Sequence, residues 1–173
     1  MGVNQRAQVV MTEEEIAAFV GRSRTATLAT LGPAGTPHLV AMWFGYLDGR
    51  IYFETKTKSQ KAVNLRRNPE AVVLIEAGQT YDQLRGVSFE GTCTLLEDTG
   101  DRGDSEYWRA AVDVWERYHG VYDEAALPMV EFMMNKRVVV RFEPTRARSW
   151  DHRKLGLPEM PLGGSTAEFI GQE

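Results

Sequence analysis

Between Thr55 and Arg67 the sequence reads TKTKSQKAVNLRR, with Lys56, Lys58, Lys61, Arg66 and Arg67 and no acid among them. The chain around it is acidic: 24 Asp and Glu against 20 Lys and Arg give its 173 residues a formal net charge of -4. Like charges crowded on one short segment repel unless an anion lies among them. Thr55, Thr57 and Ser59 interleave hydroxyl donors with the lysines. The segment leaves a strand and enters a helix, whose first N–H groups and macrodipole favour a negative ligand. Strand end, hydroxyls, lysines and helix start together predict a phosphate cradle. The competing reading is a solvated helix face.

The elements that position this segment follow from patterning. TEEEIAAFVG carries a capping box, Thr12 with Glu15, ahead of an apolar face at Ile16, Phe19 and Val20. TATLATL, HLVAMWFGY and IYFETK read as strands of a meander, separated by the turn clusters GPAGTP and DGR. Ser59 is a natural N-cap for a short helix that ends before Pro69. AVVLIEA is apolar enough for a strand buried on both faces. GVSFEGTCTLLE is a long strand with a bend at Gly91. Ser105 caps an amphipathic helix bearing Tyr107, Trp108, Trp115 and Tyr118, and LPMVEFMMNK makes a second helix. RVVVRFEP and RARSWD are late strands, and residues 156–173 form a tail after a single domain over 1–155. Six to seven antiparallel strands without βαβ alternation predict a mainly β fold with helices, a small barrel.

Several chemistries are disfavoured. Cys93 is the single cysteine, so no internal disulfide forms, and its alternating surroundings mark a buried structural thiol. His38, His119 and His152 show no ligand spacing, so no metal site is expected. No Gly-rich phosphate loop is present. The acidic balance disfavours nucleic acid, and the basic stretch contains no aromatic for bases to stack on. No apolar run has membrane-spanning length, MGVNQRAQVV lacks a secretory h-region, and MGVNQR has Arg6 where N-myristoylation requires Ser or Thr. A cytoplasmic chain acting on a small molecule, without membrane partners, is the expectation.

The stretch TPHLVAMWFGYLDGRIYFETKTKSQKAVNLRRNPEAVVLIE resembles the cofactor-binding core of the pyridoxamine-5'-phosphate-oxidase-like split β-barrel (FMN-binding-like) proteins. The likeness spans roughly Thr25 to Leu96 and is most specific at Ser59, Lys61, Asn64, Asn68 and Pro69. Within that family it is more similar to the reductases that use the deazaflavin F420 than to the FMN oxidases. SQK stands where an FMN oxidase has SRK, and His38 and Trp43 stand where it has Arg and Lys. Lys56 and Lys58 add charge suited to a phosphodiester, a lactyl carboxylate and a glutamate tail.

The resemblance implies the following roles. Thr55, Lys56, Lys58, Ser59, Gln60 and Lys61 hold the phosphate and neighbouring acids. His38, Leu39, Val40, Ala41, Met42 and Trp43 form the strand along the ring edge. A homodimer completes the site, with Trp150, His152, Arg153 and Lys154 supplied by the partner, Trp150 as a cofactor contact and His152 as a catalytic proton donor. The implied activity is hydride transfer from reduced F420 to an electron-poor small molecule. FMN in place of F420, or a non-catalytic flavin- or haem-binding protein, are the alternatives.

Overall fold

A computed structural model of the chain describes residues 5–170; Gly2 of the N-myristoylation window and the last three residues of the tail lie outside them. Helices α1 (Gln5–Val9) and α2 (Glu13–Arg22) come first, α2 with the expected capping box: Glu15 N–H donates to Thr12 Oγ1 at 3.2 Å and Thr12 N–H to Glu15 Oε2 at 2.7 Å. Then follow β1 (Ala26–Leu31), β2 (Pro37–Met42), β3 (Gly45–Leu47), β4 (Arg50–Lys56), α3 (Gln60–Arg67), β5 (Glu70–Ala77), β6 (Arg85–Leu96), α4 (Glu106–Tyr118), α5 (Leu127–Met134) and β7 (Arg137–Asp151). All seven strands belong to one antiparallel sheet in the order β2-β1-β5-β6-β7-β4-β3.

This order corrects the meander. HLVAMWFGY is not one strand: it breaks at Trp43–Phe44, and β2 and β3 lie at opposite edges of the sheet. A flat sheet of this width would separate its edge strands by about 29 Å at ~4.8 Å per strand. The chain from Met42 to Gly45 reaches only about 11 Å, at ~3.8 Å per residue. The sheet must therefore curl until its edges meet, and Trp43–Phe44 bridges the split. Phe44 plugs it with a fully buried ring, and its N–H donates to Tyr118 Oη at 3.0 Å, so the break leaves no orphaned donor. β3 and β4 do form a hairpin, turned by Asp48 (φ 51) and Gly49 (φ 75), the doubly left-handed turn that matches strand twist.

The two late strands are one, β7. Pro144 reads as a terminator, yet it sits at a register shift opposite Glu90/Gly91, where a bulge spares the missing N–H. Gly91 is the bend expected from sequence. A Cβ there would lie 2.2 Å from the Glu143 carbonyl oxygen and 2.7 Å from Phe142 Cζ.

The concave face holds the main core, with Leu28, Phe44, Ile51, Phe53, Val73, Ile75, Val87, Val140 and Phe142 fully buried. Tyr52 and Val139, on the convex face of β4 and β7, pack under α4 and α5 with Tyr107, Trp108, Val130 and Met134. β5 is buried on one face only, a second correction: Ala71, Val73 and Ile75 point inward while Glu70, Val72 and Glu76 are exposed. The outer face of β2, β1 and β5 carries Leu39, Leu31 and Val72, all more than a third exposed. Residues 156–170 hold only a short 3-10 turn, Ala167–Phe169, and expose Leu157, Met160, Leu162 and Phe169.

Candidate functional site

Helix α3 starts where β4 ends. Ser59 caps it, accepting from the Ala62 N–H at 3.3 Å, and its hydroxyl is 2.9 Å from Thr55 Oγ1. The first-turn N–H groups of Gln60 and Lys61 have no intrahelical acceptor. The five cations of the segment do not act together. Arg66 donates to the Thr57 carbonyl at 2.6 Å and lies 3.6 Å from Glu97; Arg67 donates to the Leu31 carbonyl; Lys56 Nζ donates to the Asn135 carbonyl at 3.0 Å. Those three tie backbone together. Lys58 and Lys61 make no hydrogen bond or ion pair among the described residues. Lys61 is half-buried, and desolvation first, then the nearby Arg137 charge, pulls its pKa down. Lys61 and Arg137 thus lie close together without an ion-pair partner for the lysine among the described residues.

Strand β2 reaches the start of α3 through Thr30. His38 is the register partner of Thr30, whose hydroxyl accepts from Asn64 Nδ2 at 3.0 Å, while Asn64 Oδ1 accepts from Gln60 Nε2 at 2.8 Å. Asn64 is 1% exposed, so the chain of bonds is dry and fixes α3 against the β1–β2 pair. His38, Val40 and Met42 are half-buried on the concave side, and Leu39, Ala41 and Trp43 point outward. β2 is an edge strand, so alternate N–H groups face away from β1 with no partner strand.

Beyond Met42 lies a cleft of about 280 Å3 lined by Met42, Trp43, Glu54, Val114, Met133 and Arg137. Trp43 stacks on Tyr118 at 4.2 Å with an interplanar angle of 3°, and remains 49% exposed. The aromatic residues of α4 therefore divide: Trp108 is core, with Tyr122 against its edge, while Trp115, His119 and Tyr118 support Trp43 at the cleft. Glu54 is 9% exposed, and its carboxyl makes no hydrogen bond or ion pair among the described residues. Burial pushes its pKa up to about 7 from an ordinary 4.5, with Arg137 acting in the opposite direction.

Such a group is intact in its contribution to stability below its unfolded value and loses it as pH rises through its folded value. At ~1.4 kcal/mol per pKa unit, the fold is expected to lose up to about 3 kcal/mol from this source between about pH 5 and about pH 8. Glu54→Gln removes the ionisation. Thermal unfolding followed against pH should slope downward across that window in the wild type and flatten in the variant. Identical slopes would show that Glu54 is not a buried acid.

A single chain does not bring Trp150 and His152 to the cradle. Arg137 opens β7 and Trp150 nearly closes it, about 40 Å further along at ~3.3 Å per residue. Trp150 lies over Gly86, its Cζ2 2.4 Å from where a Cβ would be. His152 Nδ1 is 2.8 Å from the Tyr81 carbonyl oxygen and donates its proton there. Arg153 pairs with Asp151, and Lys154 with Glu15. Two residues of the cleft escape sequence reasoning, Glu54 and Arg137. Each sits in a strand pattern at a position that reads as solvent-facing, and only the pairing of β4 with β7, which sets Lys56 opposite Arg137, shows them together. Cys93 is buried, and desolvation pushes its thiol up to about 12, far from a nucleophile's range. Among the described residues no group of three or more His, Cys, Asp or Glu could hold a metal, and no helix is long and apolar enough to cross a membrane.

The model of the pyridoxamine 5'-phosphate oxidase family matches residues 12–151. The chain belongs to that family. The curled seven-stranded sheet, split between β2 and β3, is the split-barrel fold of this pyridoxamine 5'-phosphate oxidase family. Among solved structures, the conserved hypothetical protein Rv2991 of Mycobacterium tuberculosis is 58% identical, with a TM-score of 0.86 over 95% of this chain and 99% of that one. A protein described as an F420 reductase is 23% identical, with a TM-score of 0.58 over 79% of this chain and 98% of that one. HutZ, the haem storage protein of Vibrio cholerae, is 19% identical, with a TM-score of 0.60 over 78% and 90%. At the last two identities the likeness is one of fold. No curated protein matches the chain.

Proposed function

We propose that the protein is an F420H2-dependent reductase that passes a hydride from the reduced deazaflavin to an electron-poor acceptor such as an activated C=C, a quinone or a conjugated carbonyl. The observation that carries this reading is the uncompensated positive charge at the start of α3. Lys58 and Lys61 stand there with no acid paired to them among the described residues, and Arg137 adds its charge close to Lys61. A cofactor with a phosphodiester, a carboxylate and a glutamate tail meets that demand. Two orphaned buried atoms also ask for a ligand, His38 Nδ1 and Arg137 Nε.

When bound, the deazaflavin supplies hydride chemistry at its C5. The chain's own residues do the rest. Thr55 and Ser59 share one hydroxyl–hydroxyl bond, which leaves one O–H to donate to a phosphate oxygen. The Gln60 and Lys61 N–H groups and the two lysines add charge-assisted donors. The unpaired N–H groups of edge strand β2 would hold the ring edge and supply preorganised donors to negative charge on it. Trp43, held flat by Tyr118, would wall one side of the bound ring.

The reading includes a homodimer. The uncovered apolar strip of Leu31, Leu39 and Val72 borders a groove of about 480 Å3 on the outer sheet face, and a second copy of the chain is the occupant that would cover it. That copy would also carry Trp150 and His152 towards the cradle.

Titration of the purified protein with F420, and separately with FMN, followed by tryptophan fluorescence, tests the assignment. Tight F420 binding with weak FMN binding is expected. The reverse order makes the protein an FMN oxidoreductase, and failure of both removes the cofactor reading.

A further inference from the structure

Hydride transfer to a C=C leaves the product one proton short, and the residue proposed for that proton from sequence, His152, lies within one chain at the far end of β7 from the cleft. The cleft beside Trp43 offers another source. Its two ionisable lining groups are Glu54 and Arg137. Arg137 Nε is buried without a partner, and the Glu54 carboxyl bonds to nothing among the described residues. Buried polar groups in native folds are satisfied as a rule, so an orphaned guanidinium nitrogen and an unbonded carboxyl lining one cleft mark a place for a reacting molecule. The two tyrosine hydroxyls nearby are committed: Tyr118 Oη donates to the Arg24 carbonyl at 2.7 Å, and Tyr107 Oη to the Arg137 carbonyl at 3.3 Å.

We propose that Glu54 is the general acid of the reductase, and that the charge of Arg137 stabilises the carboxylate it becomes. The inference rests on the F420H2 reading above. As the hydride reaches the β-carbon of an enone, the C=C π pair moves to the α-carbon and takes the Glu54 proton. Two C–H bonds form while the donor C–H of the reduced deazaflavin and the Glu54 O–H break, so the deazaflavin is oxidised and the enone reduced. Solvent then returns a proton to Glu54.

The acid is tuned for this work. Desolvation holds it neutral to about pH 7, and Arg137 limits the rise, so the proton is present at neutrality yet transferable. The charged and titratable groups around it are Arg137 from β7, Lys61 beyond it from α3, Tyr107 from α4, and Tyr52 and Lys56 on its own face of β4.

The test uses Glu54→Gln, which keeps the shape and loses the acid. F420 affinity, read by tryptophan quenching, should stay within about threefold of wild type, while reduction of 2-cyclohexenone or another enone turned over by the wild type slows by about 100-fold or more. Wild-type kcat should fall as pH rises through about 7, and the variant should lose that limb. An independent reading comes from 13C NMR of glutamate-labelled protein without cofactor: one carboxyl titrates near 7 and vanishes in the variant. A variant that binds F420 and turns over like wild type overturns this inference alone. A wild type that fails to bind F420, or binds it and reduces none of a panel of enones and quinones, overturns the reductase reading and this one with it. Should the variant fail to fold, a wild-type kcat flat between about pH 6 and about pH 8 would equally sink the assignment.

Discussion

Lys61→Glu is expected to weaken F420 binding by at least about 100-fold while leaving the fold as stable as the wild type. The lysine sits in the first turn of α3 beside the Ser59 cap, where a phosphate oxygen would meet both its ammonium and the free N–H groups. Replacing a charge-assisted donor with a carboxylate exchanges attraction for repulsion in a half-desolvated site, on the order of 3 kcal/mol, which is about 100-fold in Kd. The effect on stability has the opposite sign. Lys61 has no acid partner and is crowded by Arg137, which helps to lower its pKa. A glutamate there ends that repulsion and gains a cation within reach. Fluorescence titration and thermal unfolding of the same sample check both halves. A variant that binds F420 normally would remove the cradle from the site, and one that unfolds would show that Lys61 serves the fold.

Gly91→Val should be the most damaging single change away from the site. Gly91 stands at the β6–β7 bulge, where a Cβ would meet backbone at 2.2 Å from the Glu143 oxygen and the Phe142 ring at 2.7 Å. Phe142 is fully buried in the main core, so its ring has nowhere to retreat. Overpacking against a close-packed interior, with backbone as the obstacle, costs about 3 kcal/mol or more. That corresponds to a fall in Tm of about 10 °C for a chain of this size. Gly21→Ala is the control: nothing lies within 4 Å of its Cβ position in α2, and alanine should raise stability slightly. Equal Tm values for the two variants would mean that the bulge opens freely.

Much of the local structure was legible. Thr12 and Glu15, Ser59 and Ser105 cap the helices they announce, because a cap is a contact between residues three apart. Gly91 marks its bulge, and the hydroxyl-and-lysine segment from Thr55 to Lys61 lies at a helix start as its spacing implies. What the sequence could not convey was which strands meet. HLVAMWFGY is continuous in hydropathy, but a sheet curled through seven strands breaks it at Trp43–Phe44 and sends its halves to opposite edges. Pro144 signals an end, and a bulge that leaves Thr145 unpaired opposite Glu90/Gly91 of β6 lets β7 continue through it.

The site divides along the same line. Sequence alone gathered the hydroxyls and lysines at the start of α3, since they are neighbours in the chain with no acid among them. Only the tertiary structure decided which cations remain free for a ligand, by tying Lys56, Arg66 and Arg67 to carbonyls of distant segments. It also placed Glu54 and Arg137 in one cleft. Their unmet polarity exists only because antiparallel pairing of β4 with β7, roofed by α4 and α5, takes both groups out of water.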